Sequence, residues 1–368
     1  MGSTMLHDLA EIAAGFAARD AAAPDAYPAE NIADIKRSGV LLAPFPSHAG
    51  GSGMGLLDAV RAAEIVARRS PGTALMMVMP LGLGCMYAAP EGVIADEHRA
   101  GWNDQVDAIA AEVRAGKWYA ACNSEKGAGG SMAATKTAAR LVDGAWKLTG
   151  DKILATTGKH ADYFFSSAKV TQEDLPGAGI VEIFYVRPDA PGVTIAEDWD
   201  GFGMRSTESQ SVRYEDAPAA SIMGYPNFIE ATSPFGIWYC LFPAVSLGCA
   251  ASMLEQIGNP APQSPAVRLR LAEAQMRLEA MRAYLHETAA LRGAADDPRA
   301  LAMRVVRAKT YVTQEATKLC AELFALSGGR HYSRTSPVAR ALADSFAGTA
   351  LRPPLSLALD MLVENFAV

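Results

Sequence analysis

No CxxC pair occurs among the five cysteines, Cys85, Cys122, Cys240, Cys249 and Cys320. This argues against paired-cysteine zinc sites and thioredoxin-type redox motifs. An odd number of scattered cysteines cannot close fully into disulfides, which fits a reducing, cytoplasmic setting. The six histidines show no metal-ligand spacing, so no metal site is expected. Basic residues are not in excess: the formal net charge is −7, the pI is near 5.5, and neither sign is gathered in runs. A nucleic-acid partner is therefore not expected. Clean bilayer-length apolar segments are also missing. "TALMMVMPLGLGCMYAAP" and "IWYCLFPAVSLGCAASML" come near that length, but Pro and Gly interrupt both and neither has basic flanks. Each reads instead as a helix buried on all sides. "MGSTM" lacks the charge pattern of a signal peptide.

What is present is a globular balance, 50% hydrophobic and 20% charged over 368 residues, long enough for two or three cores. Three compositions follow one another. In residues 1–116 the segments "DLAEIAAGFAARDAAA", "AENIADIKRSGV" and "LLDAVRAAEIVARRS" carry apolar residues at helical spacing. In 117–225 the period shortens. "TAARLVDGAWKLTGDKIL" reads as strand, Asp143-Gly144 turn and strand, and short β-type runs continue without a helix between them. In 226–368 helices return and are longer, with Ser or Pro at their starts and glycines at their ends. Long helices with short loops predict an antiparallel bundle. The order is helical, β, helical.

The stretch "CNSEKGAGGS", Cys122 to Ser131, raises the question of a phosphate loop. A Rossmann fingerprint needs strand, G-x-G-x-x-G and helix, and a P-loop needs G-x-x-x-x-G-K-[ST]. Gly127, Gly129 and Gly130 meet neither spacing. Taken alone, the cluster is a surface turn.

Its surroundings give it another meaning. Ser124-Glu125-Lys126-Gly127-Ala128-Gly129-Gly130-Ser131, Lys136-Thr137, Asp143-Gly144, Leu148, Gly150, Lys152 and Ala155-Thr156-Thr157-Gly158 stand in the order of a Thr-Glu-Pro-x-x-Gly-Ser-Asp-like loop, a Lys-Thr strand, a hairpin and an I-T-x-G strand. That order resembles the acyl-CoA dehydrogenase family. "YPAENIADIKRSGVLLAPFPSHAGGSGMG", "GFGMRSTESQSVRYEDAPA" and "LSGGRHYSRTSPVARALADSFAG" extend the resemblance over nearly the whole chain. It implies an α+β fold: an N-terminal helical domain, a central antiparallel β-barrel or sandwich, and a C-terminal four-helix bundle.

The resemblance also implies FAD, bound between the β-domain and the bundle. By position, Cys122, Asn123 and Ser124 would line the pyrimidine side of the ring system, and the Thr156 hydroxyl would approach N5 or O4. Leu154 takes the place of the family's tryptophan beside the flavin, with Ala155 next to it. Gly129, Gly130 and Ser131 would let the backbone approach phosphates closely. Gly328 and Gly329 match the family's double glycine, with Ala325 in place of its glutamine. The arginine that reaches a neighbouring subunit's FAD pyrophosphate has no counterpart in "SMLEQIGNPAPQSP". Assembly as a homodimer or homotetramer is the corresponding expectation.

Dehydrogenation needs a carboxylate over the substrate α-carbon. The family places its glutamate at one of two stations, which fall here at Leu351-Arg352-Pro353 and near Trp238, in a run without acids from Gly236 to Leu254. Neither offers a base, and the catalytic residue is not assigned. Asp344 matches a family aspartate and is expected to be structural. His160 and His331 read as loop residues unless one of them reaches the flavin. Three functions follow: α,β-dehydrogenation of an acyl thioester with a displaced base and an electron acceptor; oxygenation with flavin from a partner reductase; or binding without turnover.

Overall fold

The helical periodicity of the first segment becomes six helices. The computed structural model describes residues 2–89, 92–173, 175, 178–259, 264–292 and 297–366. The helices are α1 (Gly2–Ala13), α2 (Phe16–Ala22), α3 (Ala29–Arg37), α4 (Leu56–Ala67), α5 (Pro71–Tyr87) and α6 (Asp96–Arg114). Helix α5 has Ser70 as its N-cap, its side chain accepting from the Thr73 amide, and Pro71 in its first turn, where no amide is needed. Nearly every residue of α5 is buried, as its lack of a polar face requires.

The β-segment holds β1 (Tyr119–Ala121), β2 (Ala138–Val142), β3 (Ala145–Ala155), β4 (Tyr163–Val170), β5 (Val181–Val186), β6 (Val193–Ile195) and β7 (Gln210–Ile222). Asp143 and Gly144 join β2 to β3 with φ of 52° and 78°. Two successive left-handed residues match the twist of the flanking strands, which is why Asp-Gly marks such hairpins. The pairings β4–β2, β2–β3, β3–β7, β7–β5 and β5–β4 close into a ring, so the domain is a barrel. Five of the seven ladders are antiparallel; β1–β4 and β2–β4 are parallel. The glycine-rich excursion between β1 and β2 explains this. It returns the chain to the same edge of β4 in the same direction, which local turn signals do not reveal.

The last segment forms α7 (Phe228–Thr232), α8 (Gly236–Gly258), α9 (Pro265–Ala290), α10 (Pro298–Leu326), α11 (Pro337–Ser345), α12 (Ala347–Ala350) and α13 (Leu355–Glu364). Among the described residues α8 is the one helix long and apolar enough to cross a membrane, and 83% of its most apolar window is buried inside the protein. A β-carbon on Gly248 would stand 2.3 Å from that of Ala67, so α8 and α4 cross at a contact only glycine allows. Helices α8, α9 and α10 with α11 make the bundle. Glu64 of α4 accepts two bonds from Arg282 of α9, at 2.6 and 2.8 Å, and ties the two helical regions together.

Candidate functional site

A cavity of about 320 Å³ lies where barrel and helices meet. Its barrel wall is made by Asn123, Ser124, Leu154, Thr156 and Phe165. Leu75 and Met79 of α5 face it, as do Trp238, Tyr239 and Phe242 of α8. Trp199, Phe202 and Met204 close one side, and Ala343, Phe346, Ala347, Ala350, Leu351 and Arg352 contribute another. The volume is that of a small-molecule site.

The barrel wall is shaped by a bulge. Pairing of β3 with β7 shifts between Lys152 and Ala155, and Leu154 sits there at φ 58°. A left-handed leucine is costly, and such strain gathers where a side chain must be re-aimed. Here it turns Leu154 to the cavity mouth, where it is 49% exposed. Ala155 then points into the core, and Thr156 lines the cavity. The Thr156 hydroxyl makes no hydrogen bond to protein among the described residues.

Asn123 is fixed from behind. Its Oδ1 accepts from the Ser167 amide at 2.7 Å, and the Ser124 carbonyl accepts from Ile153 at 2.8 Å. Cys122 does not face the cavity. Its side chain is buried in the barrel, its Sγ accepts from the Tyr214 hydroxyl at 3.3 Å, and burial pushes its thiol up to about 11.

From Glu125 to Ser131 the glycine stretch is neither a free turn nor a cavity wall. Glu125 Oε1 accepts from Lys152 Nζ at 2.6 Å and from Thr137 Oγ1 at 2.7 Å, while Oε2 accepts from the Lys136 amide at 2.6 Å. Lys152 also donates to the Ser167 carbonyl at 2.5 Å. This buried knot holds the loop on the barrel. Gly127, Gly129 and Gly130 all have positive φ, and a β-carbon on Gly130 would lie 2.4 Å from Pro354 Cδ. The loop therefore buttresses the segment carrying Arg352. Gly129, Gly130 and Ser131 lie off the cavity wall, as do Gly328 and Gly329 beyond α10. Thus the structure brings together Asn123, Ser124, Leu154 and Thr156 of the sequence-derived set.

Both glutamate stations line this one cavity. Trp238 is 5% exposed, with Nε1 donating to the Met79 carbonyl at 3.3 Å. It fits into a notch at Gly82, where a β-carbon would come within 2.4 Å of that nitrogen. At the other station Arg352 Nη2 donates to the Asn123 carbonyl at 2.8 Å and Nη1 lies against Met132 Sδ. Arg352 Nε is buried without a hydrogen-bond partner. No aspartate or glutamate lines the cavity among the described residues; Arg352 is its charged side chain. Burial lowers the Arg352 pKa below its ordinary value. Burial raises that of Tyr239, against the opposing pull of Arg352.

Asp344, just behind the lining Ala343, accepts from the Met204 amide at 2.5 Å, and burial raises its pKa to about 6. It pins the Trp199–Met204 segment to α11, a structural part. His160 pairs with Glu208 at 3.1 Å and stacks on Tyr27, and His331 contacts Ser336 at 3.0 Å; neither lines the cavity. Trp199, Phe202, Tyr239 and Phe346 were not singled out by the sequence. A β-carbon on Gly203 would meet the Ala343 carbonyl oxygen at 2.3 Å, so the "GFGM" segment packs closely on α11.

Lys309 of α10 fixes the backbone on both sides of Arg352, donating to the carbonyls of Leu351 at 2.8 Å and Pro353 at 2.6 Å. Burial pushes its pKa down to about 8 from 10.5. Below pH 8 the charge is present in folded and unfolded chains alike, and burying it costs stability. Between pH 8 and 10.5 the unfolded chain keeps the proton that the folded chain has lost, so the cost is relieved as pH rises. Measured against Lys309→Met, the wild type should gain on the order of 2 kcal/mol across this window. Urea unfolding at both ends of it is the check, and a flat difference would mean that Lys309 titrates normally.

Comparison with known proteins agrees with this architecture. The acyl-CoA dehydrogenase N-terminal, middle and C-terminal domain models match residues 5–92, 120–217 and 243–351. The chain is 24% identical over 333 residues to the probable acyl-CoA dehydrogenase YngJ of Bacillus subtilis (strain 168), covering 87% of this chain and 84% of that one. Butyryl-CoA dehydrogenase from Megasphaera elsdenii superposes with a TM-score of 0.82 at 21% identity, covering 98% and 97% of the two chains. FMN-bound TdsC from Paenibacillus sp. A11-2, a dibenzothiophene monooxygenase, gives 0.83 at 20% identity over 99% and 98%. With all three domain models matched in order along one chain, the protein belongs to the acyl-CoA dehydrogenase family of flavoprotein oxidoreductases.

Proposed function

We propose that this protein is a flavin-dependent oxygenase that works without a carboxylate base and receives reducing equivalents through a partner reductase. One observation carries the reading: Trp238 and Leu351–Arg352 line the cavity, and no carboxylate does so among the described residues. Abstraction of an α-proton has no acceptor on this wall, whereas oxygen transfer requires none there.

The residues present fit a flavin ring. Asn123, Ser124 and Thr156 offer polar groups along one wall of an otherwise apolar slot, and the free Thr156 hydroxyl is the kind of unpaired donor a ring oxygen or nitrogen satisfies. Gly129, Gly130 and Ser131 lie off this wall; FAD is the cofactor that the family resemblance implies, and FMN is its shorter alternative. Bound and reduced, flavin supplies two electrons to O2, so that one oxygen atom enters the substrate and the other leaves as water. The chain's own contribution is positioning and exclusion of water. Trp238, Phe165 and Phe242 present apolar surface to a flat substrate, and Met204, pinned by Asp344, closes one side.

A second reading, α,β-dehydrogenation of an acyl thioester, is supported by relatives such as YngJ. The two separate cleanly. Flavin-loaded protein should not bleach anaerobically with short- or long-chain acyl-CoA. With a flavin reductase, NADH and labelled O2, an aromatic probe such as indole should acquire one labelled oxygen atom. Rapid bleaching by any acyl-CoA would establish the dehydrogenase, and failure to retain flavin at all would leave a binding protein without turnover.

A further inference from the structure

Arg352 is a charged group in a largely apolar cavity and makes no salt bridge among the described residues. The nearest buried acid, Glu125, is already paired with Lys152 at 2.6 Å. Of the five N–H donors of the guanidinium, one finds the Asn123 carbonyl and another faces only a thioether sulfur, while Nε is buried and unpartnered. A partly buried cation without a close counter-charge is unfavourable, and its buried, unused Nε donor costs further. Yet the fold invests in holding it. Lys309 clamps the carbonyls of Leu351 and Pro353 on either side, and Gly130 packs against Pro354. An arrangement that keeps a bare guanidinium in place needs a partner that arrives later.

We propose that Arg352 anchors an anionic oxygen of the substrate, and that the substrate is a flat, mostly apolar small molecule carrying one carboxylate or ionised hydroxyl. This names the substrate class for the oxygenase reading above and rests on that reading for its reaction, though not for its binding. The shape follows from the site: Phe165, Trp238 and Phe242 provide apolar walls, and Arg352 provides a single fixed charge at one end. A planar guanidinium fork suits a carboxylate better than a point charge would.

The experiment uses a matched pair of probes, indoleacetate and indoleacetamide, which differ in charge but hardly in shape. Binding is measured by calorimetry on the flavin-free and flavin-loaded protein, with no turnover involved. The wild type should bind indoleacetate about 10- to 100-fold more tightly than the amide, the size of a charge-assisted hydrogen bond. Arg352→Met should abolish the preference while leaving amide binding in place, and Arg352→Lys should keep part of it. Should the methionine variant fail to fold, the lysine variant still decides, because the preference must fall without vanishing. Equal binding of the two probes by the wild type, or a preference that survives Arg352→Met, overturns the proposal. So does the alternative in which the guanidinium serves the reduced cofactor: flavin-free protein would then show no preference, and Arg352→Met would lower the flavin midpoint potential. A clear preference in a protein that transfers no oxygen would instead sink the oxygenase reading and leave the anchor standing.

Discussion

Glu125→Leu should lower the free energy of unfolding by about 3–5 kcal/mol, the range seen when one partner of a buried ion pair is removed. The Lys152 ammonium would be left with its side chain fully buried and only the Ser167 carbonyl and hydroxyl as acceptors. The amides of Lys136 and Thr137 would lose their acceptor as well. Burial alone would raise the Glu125 pKa, but Lys152 and Thr137 outweigh it and hold the carboxyl below its ordinary value. Glu125 is therefore ionised, and its contribution is present above pH 4.5 and lost as pH falls through the lowered folded value. Guanidinium unfolding gives the number directly. The double variant Glu125→Leu with Lys152→Met should recover part of the loss, because no uncompensated charge remains. Additive losses in that cycle would show that the knot is not coupled.

Arg352→Glu should have the largest effect on chemistry. It places a carboxylate at a station where the family keeps its glutamate, in a cavity with apolar walls. Burial would raise the pKa of the new acid toward the range useful for proton abstraction. A well-placed general base contributes about 10²- to 10⁴-fold to rate. Flavin-loaded wild type should show no anaerobic reduction by acyl-CoA, and the variant should gain a slow reduction. It should also reject carboxylate ligands outright, through like-charge repulsion. Fast reduction in the unmodified protein would mean that the base stands elsewhere and that dehydrogenase chemistry has not been lost.

The parts of the fold legible in the sequence are those set by near neighbours. Asp143-Gly144 specifies its hairpin because two left-handed residues in succession leave the backbone few alternatives. Helices α5 and α8 read as buried because they have no polar face to turn outward. The site was legible through the family resemblance at Asn123, Ser124, Leu154 and Thr156, all of which line the cavity. The bulge that re-aims Leu154 depends on the register of β3 against β7, which is fixed by residues far along the chain. Arg352 could be placed at its station by alignment, but its inward, unneutralised position depends on Lys309 and Gly130, neither of which is near it in sequence. Cys122 illustrates the converse: the family resemblance implied a cofactor contact, and the backbone sends its side chain into the barrel, against Tyr214, instead.

The closed ring of strands bears on how such a cavity can diversify over evolutionary time. Strand β4 is hydrogen-bonded to β1 and β2 along one edge and to β5 along the other, leaving no seam at which the barrel can open or slip. Changes on that wall disturb ladders that are locked on both sides. The facing wall is different: Leu75, Met79, Trp238 and Phe242 project from helices α5 and α8, which share no backbone ladder with a neighbouring strand. Of these, Trp238 donates a side-chain hydrogen bond, to the Met79 carbonyl, whereas Leu75, Met79 and Phe242 can be exchanged for larger or smaller side chains without breaking one. New substrates are therefore most accessible through substitutions on α5 and α8, with the barrel inherited unchanged.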